Sequence, residues 1–324
     1  MNFWKKLPKH FFVLAPMADV TDASFRRIIA KYSRHGEEGG GPHVFWTEFV
    51  AADGLMSPGR EKLKYDLMYT EAERPIVAQL FGSNPEKMEG AARLCAELGF
   101  DGIDINMGCP DKSIEKQGAG ACMMKNPESA REIIRAAKRG GGGLPVSVKT
   151  RIGYNKNEIE TWVPELLSEG IAALTIHART RKEMSKVPAR WEHVKEVVEI
   201  RNKMGVDTLI IGNGDALDLE DAQKKIEETG CDGVMLGRAI FGNPWLFDQH
   251  KKEITLEERL RVLVEHTKLY EELLGDIKSF AIMKKHFKAY VAGFPESKEL
   301  REKLMETENA TQLEAVITEF LSAR

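Results

Sequence analysis

Cysteine is scarce in this sequence: four of the 324 residues are cysteines, and no two of them form a C-x-x-C pair. Long apolar runs are also missing, since no segment approaches the roughly 20 apolar residues that span a bilayer. Residues 1–6 lack the apolar core of a signal peptide. We therefore expect a cytoplasmic protein with neither a disulfide framework nor a structural zinc site, and without a membrane partner.

Neither sign of charge dominates, because 47 Lys and Arg residues oppose 50 Asp and Glu residues and the net charge is -3. Hydrophobic residues make up 42% of the chain, which excludes wholesale disorder. The near-neutral total argues against a nucleic acid as partner, although a total says nothing about local patches. A dinucleotide-binding fingerprint is missing as well, since residues 212–217 start G-N-G but lack its third glycine.

Eight short apolar runs bounded by turn residues predict buried parallel strands. They span residues 11–15, 43–47, 76–80, 102–106, 146–149, 173–177, 208–211 and 233–236. Amphipathic stretches between them predict helices at 85–98, 127–138, 158–168, 191–203 and 218–229. Eight strands alternating with helices predict an α/β fold, a (β/α)8 TIM barrel, with a doubly wound open sheet as the alternative.

The pattern changes after Leu246, where no further strand signal occurs. Residues 256–274, 280–292 and 296–323 show apolar faces at helical spacing. We therefore predict a barrel domain over residues 1–248 and a small all-helical domain over residues 249–324.

Polar and titratable residues cluster where the predicted strands end, which is where barrels carry their chemistry. Such groups are costly to bury without partners, so the cluster predicts a ligand site. Glycine turns at 212–214 and 237 lead straight into helices and favour a phosphate group. Lys149 and His177, on adjacent strands, suit the electron-rich pyrimidine edge of a reduced flavin. Too few carboxylates or further histidines accompany them for a metal site.

Cys109 stands in a loop after a strand, between Gly108 and Pro110. An unperturbed thiol titrates near pH ~8.5, so it is protonated at neutral pH. Cys109 could deliver a proton as a general acid, or act as a nucleophile if its pKa were lowered. Cys122 is the rival candidate.

Several motifs together resemble the tRNA-dihydrouridine synthases, and the resemblance covers nearly the whole chain. The most specific is N-M-G-C-P at residues 106–110, followed by G-A-G-A at 118–121. The other matching segments are A-P-M-A-D-V-T-D at 15–22, V-K-T-R-I-G at 148–153, I-H-A-R-T at 176–180, G-N-G-D at 212–215 and G-R-A at 237–239. Residues 284–290 are similar to the C-terminal domain of the bacterial B-type branch.

The resemblance implies a flavin mononucleotide (FMN) barrel and a helical tRNA-binding domain, with NADPH as electron donor for reducing specific uridines. It assigns Pro16, Met17 and Ala18 to the flavin, Gln79 to its pyrimidine ring, and Lys149 and His177 to its N1/O2 side. It assigns the FMN phosphate to Asn213, Gly214, Asp215, Gly237 and Arg238. Hydride from flavin N5 would add to uracil C6, Cys109 would protonate C5, and Asn106 would help to hold the uracil.

Read locally, the charge does suit RNA. Residues 179–190 carry five cations against one acid, and residues 277–295 carry four lysines and no acid. We assign Arg179, Arg181, Lys284, Lys285 and Lys288 to RNA contacts, with Phe280, Phe287 and Tyr290 for base stacking. The sequence points to no obligate protein partner. Two alternatives stay open: a flavin barrel acting on a free pyrimidine, of the dihydroorotate or dihydropyrimidine dehydrogenase type, and a non-catalytic RNA-binding barrel.

Overall fold

The computed structural model describes residues 2–324 and contains one all-parallel sheet. Its strands are β1 (Phe11–Leu14), β2 (Phe45–Trp46), β3 (Val50–Ala51), β4 (Ile76–Phe81), β5 (Gly102–Met107), β6 (Val146–Arg151), β7 (Ala173–His177), β8 (Leu209–Asn213) and β9 (Gly233–Leu236). Their order is β1-β9-β8-β7-β6-β5-β4-β2, with β3 paired to β4 as a short addition. The sheet curls into a nearly closed barrel, because the backbone N–H of His43 donates to Phe12 O at 2.8 Å across the β1–β2 seam. The predicted barrel is thus confirmed over the open sheet.

Helices cover the outside of the barrel. They are α1 (Ala23–Tyr32), α2 (Ala52–Leu55), α3 (Arg60–Leu63), α4 (Pro85–Glu97), α5 (Lys112–Glu115), α6 (Pro127–Gly140), α7 (Ile159–Leu167), α8 (Glu192–Met204) and α9 (Leu219–Thr229). Asp22, Asn84, Asn126 and Asp218 cap four of them, because the side chain of each accepts a backbone N–H of the first helical turn. The five helices predicted between strands are confirmed to within two residues at each end.

The strands alternate between two cores. Phe11, Val13 and Ala15 point into the barrel, whereas Phe12 and Leu14 face the helices. A 3-10 helix at Phe3–Lys6 closes the amino-terminal end, where the buried Trp4 ring lies 5.9 Å from that of Trp46. The barrel interior is thus filled with side chains, and in this fold the ligand site is expected at the carboxyl ends of the strands.

The C-terminal part is helical, as expected, but one predicted helix is wrong. The elements are α10 (Leu256–Leu274), a 3-10 turn at Phe280–Ile282, α11 (Met283–Tyr290), α12 (Ser297–Met305) and α13 (Ala310–Ser322). The single helix predicted over 296–323 is interrupted at 306–309. Thr307 bonds back to Leu304 O at 2.7 Å, and Asn309 accepts the N–H of Gln312 to begin α13. None of the helices within residues 2–324 combines the length and apolarity needed to cross a membrane.

Candidate active site

A cavity of about 240 Å³ opens at the carboxyl ends of the strands, and we call it the mouth cavity. It brings together nine of the eleven residues predicted to bind a cofactor. These are Pro16, Met17, Lys149, His177, Asn213, Gly214, Asp215, Gly237 and Arg238. Ala18 is exposed on the same loop as Met17 but does not line the wall. An open groove of about 600 Å³ shares the walls formed by Arg179, Asp215 and Arg238.

Gln79 lies in the layer beneath the mouth cavity rather than in its wall. Its side chain is fully buried; Nε2 donates to Asp104 Oδ2 at 2.6 Å and Oε1 accepts from Asn106 Nδ2 at 3.0 Å. Ser147 Oγ also donates to Asp104, at 2.6 Å. Burial raises the pKa of Asp104 to about 6, despite these donors. Sequence reasoning missed Asp104, although a carboxylate inside an apolar strand, two residues before Asn106, was a visible signal.

The Asn106 side chain shapes the loop that carries Cys109. Its Oδ1 accepts the backbone N–H groups of Gly108 and Cys109 at 3.1 and 2.9 Å. Gly120, at φ +61°, packs against this loop, and a Cβ there would lie 2.8 Å from Cys109 O. The glycine-rich segment after the cysteine is therefore required by close packing, and it fixes Cys109 from the other side.

Cys109 is half-buried beside the apolar side chains of Phe81 and Ile114. Burial raises the pKa of its thiol above the ordinary value of 9.0, with Arg151 and Lys149 opposing the rise more weakly. A thiol in this environment is protonated at neutral pH. The site therefore favours the general-acid role over the nucleophile. Cys122 is also half-buried, on the 3-10 helix Gly120–Lys125.

Lys149 and His177 differ in charge. Burial, reinforced by Arg151, lowers the pKa of Lys149 to about 8, so it remains mostly cationic at neutral pH. Burial and the surrounding cations hold the pKa of His177 well below 6.5. Arg179 Nη1 lies 3.1 Å from His177 Nε2, which fits a neutral ring accepting there. Of the two residues expected at the flavin pyrimidine edge, Lys149 is therefore a cation and His177 a neutral imidazole.

Arg151 is a second residue that sequence reasoning left without a role. Its Nε donates to Gly108 O at 2.8 Å and its Nη1 to Met184 O at 2.9 Å. It thus ties the Cys109 loop to the loop after β7. Burial lowers its pKa to about 10, so it stays charged at neutral pH.

Asp215 organises the glycine turns at the ends of β8 and β9. Its carboxylate pairs with the guanidinium groups of Arg179 and Arg238, and it accepts the N–H of Ala189 at 2.9 Å. Gly214, at φ +128°, has no room for a side chain, because a Cβ would lie 2.8 Å from that of Ala189. Three cations, counting Lys149, thus face one carboxylate, and this donor set fits a phosphorylated, electron-rich cofactor.

The loop after β7 carries less free charge than its sequence suggests. Arg181 Nε donates to Glu115 Oε1 at 2.7 Å, and Arg190 Nη2 lies 2.8 Å from Glu183 Oε2. Arg179 is 3% exposed and belongs to the mouth cavity rather than to the outer surface. Lys182 and Lys186 remain exposed.

On α11 the structure separates the lysines from the aromatic rings. Lys288 is exposed, Lys285 lies 3.1 Å from Asp19 Oδ2, and Lys284 donates to Met305 O. Phe287 and Tyr290 are fully buried, so the expectation that they stack on bases is wrong. They lie on the apolar face of this amphipathic helix, which packs inward. Among residues 2–324 no group of three or more His, Cys, Asp or Glu side chains is arranged to hold a metal ion.

Comparison with known proteins gives matches over almost the full length. The family model described as dihydrouridine synthase matches residues 13–323. "Probable tRNA-dihydrouridine synthase 2" of Bacillus subtilis is 42% identical over 322 residues, covering 98% of this chain and 96% of the relative. "Probable tRNA-dihydrouridine synthase" of Staphylococcus aureus is 41% identical, covering 98% of this chain and 95% of the relative.

Solved structures with the same fold are more distant. A histamine dehydrogenase from Rhizobium sp. aligns with TM-score 0.52 at 12% identity, over 80% of this chain and 48% of that chain. The chain thus spans about half the length of that enzyme. A morphinone reductase variant in complex with tetrahydroNAD aligns with TM-score 0.50 at 14% identity, over 73% and 85% of the two chains. At these identities the likeness concerns the barrel fold alone. The match to the family model and the two relatives extend over the whole barrel and the C-terminal helices, and the chain therefore belongs to the dihydrouridine synthase family of flavin oxidoreductases.

Proposed function

We propose that this protein reduces specific uridines of tRNA to 5,6-dihydrouridine, with FMN as cofactor and NADPH as electron donor. The observation that carries the proposal is a half-buried thiol, Cys109, on the loop after β5, at the same end of the barrel as a cavity lined by Lys149 and Arg238. The names of the two relatives describe enzymes with the same tRNA activity, over nearly their full lengths.

The mouth cavity supplies the contacts that FMN needs. Arg238 and the backbone N–H groups of the turns at Asn213, Gly214 and Gly237 would hold the phosphate, and Asp215 would orient the Arg238 guanidinium towards it. Lys149 would stand beside the pyrimidine ring, and His177 would act there as a neutral hydrogen-bonding group. Pro16 and Met17 would line the ring, with Ala18 on the same loop and Gln79 supporting the floor from below.

Bound FMN would supply to uracil C6 the hydride that NADPH provides. Cys109 would complete the reduction by giving its Sγ proton to C5, and the resulting thiolate would be reprotonated by solvent. Asn106 has one amide hydrogen left after its bond to Gln79, and we assign it to the uracil. The target base must leave the RNA stack to reach this site, as other base-modifying enzymes require.

We further propose that residues 1–248 form the catalytic domain and residues 249–324 the tRNA-binding domain, of the bacterial B-type branch. The exposed Lys285 and Lys288 and the half-buried Lys284 would contact phosphates, together with Arg181 on the loop after β7. Arg179, which we had grouped with the RNA contacts, is better suited to the cofactor phosphate because it is buried against Asp215.

The test is direct. We expect the purified protein to be yellow, to release FMN on denaturation, and to restore dihydrouridine in tRNA from cells that lack the protein. NADPH should still reduce the flavin bound to the Cys109→Ala variant, but this variant should form little dihydrouridine. Protein that cannot be loaded with flavin, or a Cys109→Ala variant that modifies tRNA at the normal rate, would contradict the proposal. Reduction of free uracil at a rate matching tRNA would instead favour a free-pyrimidine enzyme.

A further inference from the structure

The C-terminal helical part reaches the barrel mouth through a partly buried lysine. Lys278 follows α10, and its Nζ lies 3.0 Å from Glu48 Oε2 and 2.7 Å from Asp66 Oδ1. The side chains of Lys278 and Glu48 are 18% and 7% exposed. Water therefore screens this contact poorly compared with an ordinary surface ion pair.

Glu48 uses its two carboxylate oxygens on two different parts of the chain. Oε2 meets Lys278, whereas Oε1 accepts the backbone N–H of Asp19. Asp19 belongs to the segment over residues 15–22 that follows β1, which we call the β1 loop. It adopts φ +53°, a left-handed conformation that is uncommon for a residue other than glycine, so an external hydrogen bond matters for holding it there.

The same loop forms one wall of the mouth cavity. Pro16 and Met17 line the cavity, and Met17 is tied to Thr21 by bonds of 2.9 and 3.0 Å that make the loop one compact turn. A second lysine of the helical part, Lys285, contacts the Asp19 carboxylate. Lys285 thus contacts Asp19 directly, and Lys278 reaches it through Glu48. Along the chain, Asp19 is three residues or fewer from Pro16 and Met17 in the cavity wall.

We propose that Glu48 is a positioning residue that holds the β1 loop against the cofactor, and that Lys278 anchors it from the C-terminal helices. The inference rests on the proposed function, because it takes flavin as the ligand of the mouth cavity. It adds that the helical part contributes to cofactor binding as well as to RNA. Burial raises the pKa of Glu48 and Lys278 opposes this rise, so the lysine favours the ionised form of the carboxylate.

The experiment compares flavin binding in variants of the full chain, with neither tRNA nor NADPH present. Glu48→Gln keeps an acceptor for Asp19 but loses the charge that meets Lys278; Lys278→Met removes the cation. We expect both to raise the FMN dissociation constant by about tenfold, the cost of roughly one charged hydrogen bond. Lys31→Met is the control, since it breaks an exposed 2.7 Å pair with Glu265 that likewise connects the barrel to the C-terminal helices but does not reach the β1 loop.

Two further measurements separate positioning from general destabilisation. Lys278→Arg restores the cation and should return the dissociation constant towards the wild-type value. The visible absorbance band of bound flavin should change shape in Glu48→Gln and Lys278→Met but not in Lys31→Met, because only the first two loosen the loop beside the ring. Thermal unfolding followed by circular dichroism confirms that each variant is folded.

The outcomes are distinct. If the wild-type protein binds FMN, and Glu48→Gln and Lys278→Met bind it with the same affinity and absorbance spectrum, this inference is overturned and the proposed function stands. Equal weakening in Lys31→Met would also overturn it, because the effect would then follow from any lost contact between the barrel and the C-terminal helices. A wild-type protein that binds no FMN would overturn the proposed function itself, and the inference with it.

Discussion

Asn106 holds Cys109 through its side chain: Oδ1 accepts the Cys109 backbone N–H at 2.9 Å, while Nδ2 donates to Gln79. The amide thereby joins the loop that carries the thiol to the polar layer inside the barrel. Gln79 in turn donates to the buried Asp104. The position of the thiol is thus set by a hydrogen-bonded series that starts within the strands, where the backbone is most rigid.

Replacing Asn106 tests this arrangement. Asn106→Ala leaves the N–H groups of Gly108 and Cys109 and the amide oxygen of Gln79 without partners, each costing about 1–3 kcal/mol. We expect dihydrouridine formation to fall by at least about tenfold, with flavin content little changed. The measurement is dihydrouridine yield per bound FMN. Gln117→Ala, at the exposed end of the same loop, is the control; equal losses in both variants would count against a special role for Asn106.

Arg238→Met should separate phosphate recognition from ring recognition. A charged hydrogen bond to phosphate contributes roughly 1.5–3 kcal/mol, so we expect FMN affinity to fall by about ten- to a hundredfold. Riboflavin, which lacks the phosphate, should bind both proteins alike. Fluorescence titration measures both ligands, and Lys224→Met on the exposed face of α9 provides the control. A parallel loss of riboflavin affinity would show that Arg238 acts on the cavity as a whole.

Flavin affinity should depend on pH through Lys149. The side chain is a cation below its pKa of about 8 and neutral above it, so its attraction for the flavin pyrimidine edge weakens as pH rises through that value. Titration of FMN between pH 6.5 and 9.5 should show weaker binding at the alkaline end, and Lys149→Gln should flatten this dependence. His177→Gln should leave the shape of the profile unchanged, because His177 is already neutral across the range. A profile that His177→Gln flattens instead would contradict the assigned charge states.

The buried pair His266 and His286 predicts loss of stability in acid. Both rings are fully buried between α1 and the C-terminal helices, and burial lowers the pKa of His286 to about 4. Below pH ~6.5 the unfolded chain binds protons that the folded chain does not, so the free energy of unfolding falls as pH decreases towards 4. His286 alone should remove roughly 3 kcal/mol across that window.

Urea unfolding at several pH values measures this effect. We expect His286→Leu to show a smaller loss between pH 6.5 and 4 than the wild-type protein. In His250→Gln, a change at an exposed position, the free energy of unfolding should decrease as much as it does in the wild-type protein. The same pH dependence in all three proteins would assign the acid sensitivity to groups other than His286.

Much of the fold was predictable because its signals are local. The strands β1 and β4–β9 are short, apolar and buried on both faces, and residues such as Asn84, Asn126 and Asp218 mark helix starts by their own side chains. The interruption at 306–309 was not predicted, because Thr307 and Asn309 are tolerated inside helices and end one only when their side chains bond to the backbone.

Residue type and periodicity were sufficient to predict eight of the nine strands, the glycine turns and the positions of Lys149, His177 and Cys109 at strand ends. The tertiary structure alone decided which charges are free. Arg179 and Arg181 were expected to contact RNA, yet they pair with Asp215 and Glu115, acids brought from distant segments. Lys278, in the second basic segment, pairs with Glu48 in the same way. Burial likewise made His177 neutral and placed Phe287 and Tyr290 in the core. Long-range pairing and burial depend on how distant segments meet, and residue order alone does not specify either.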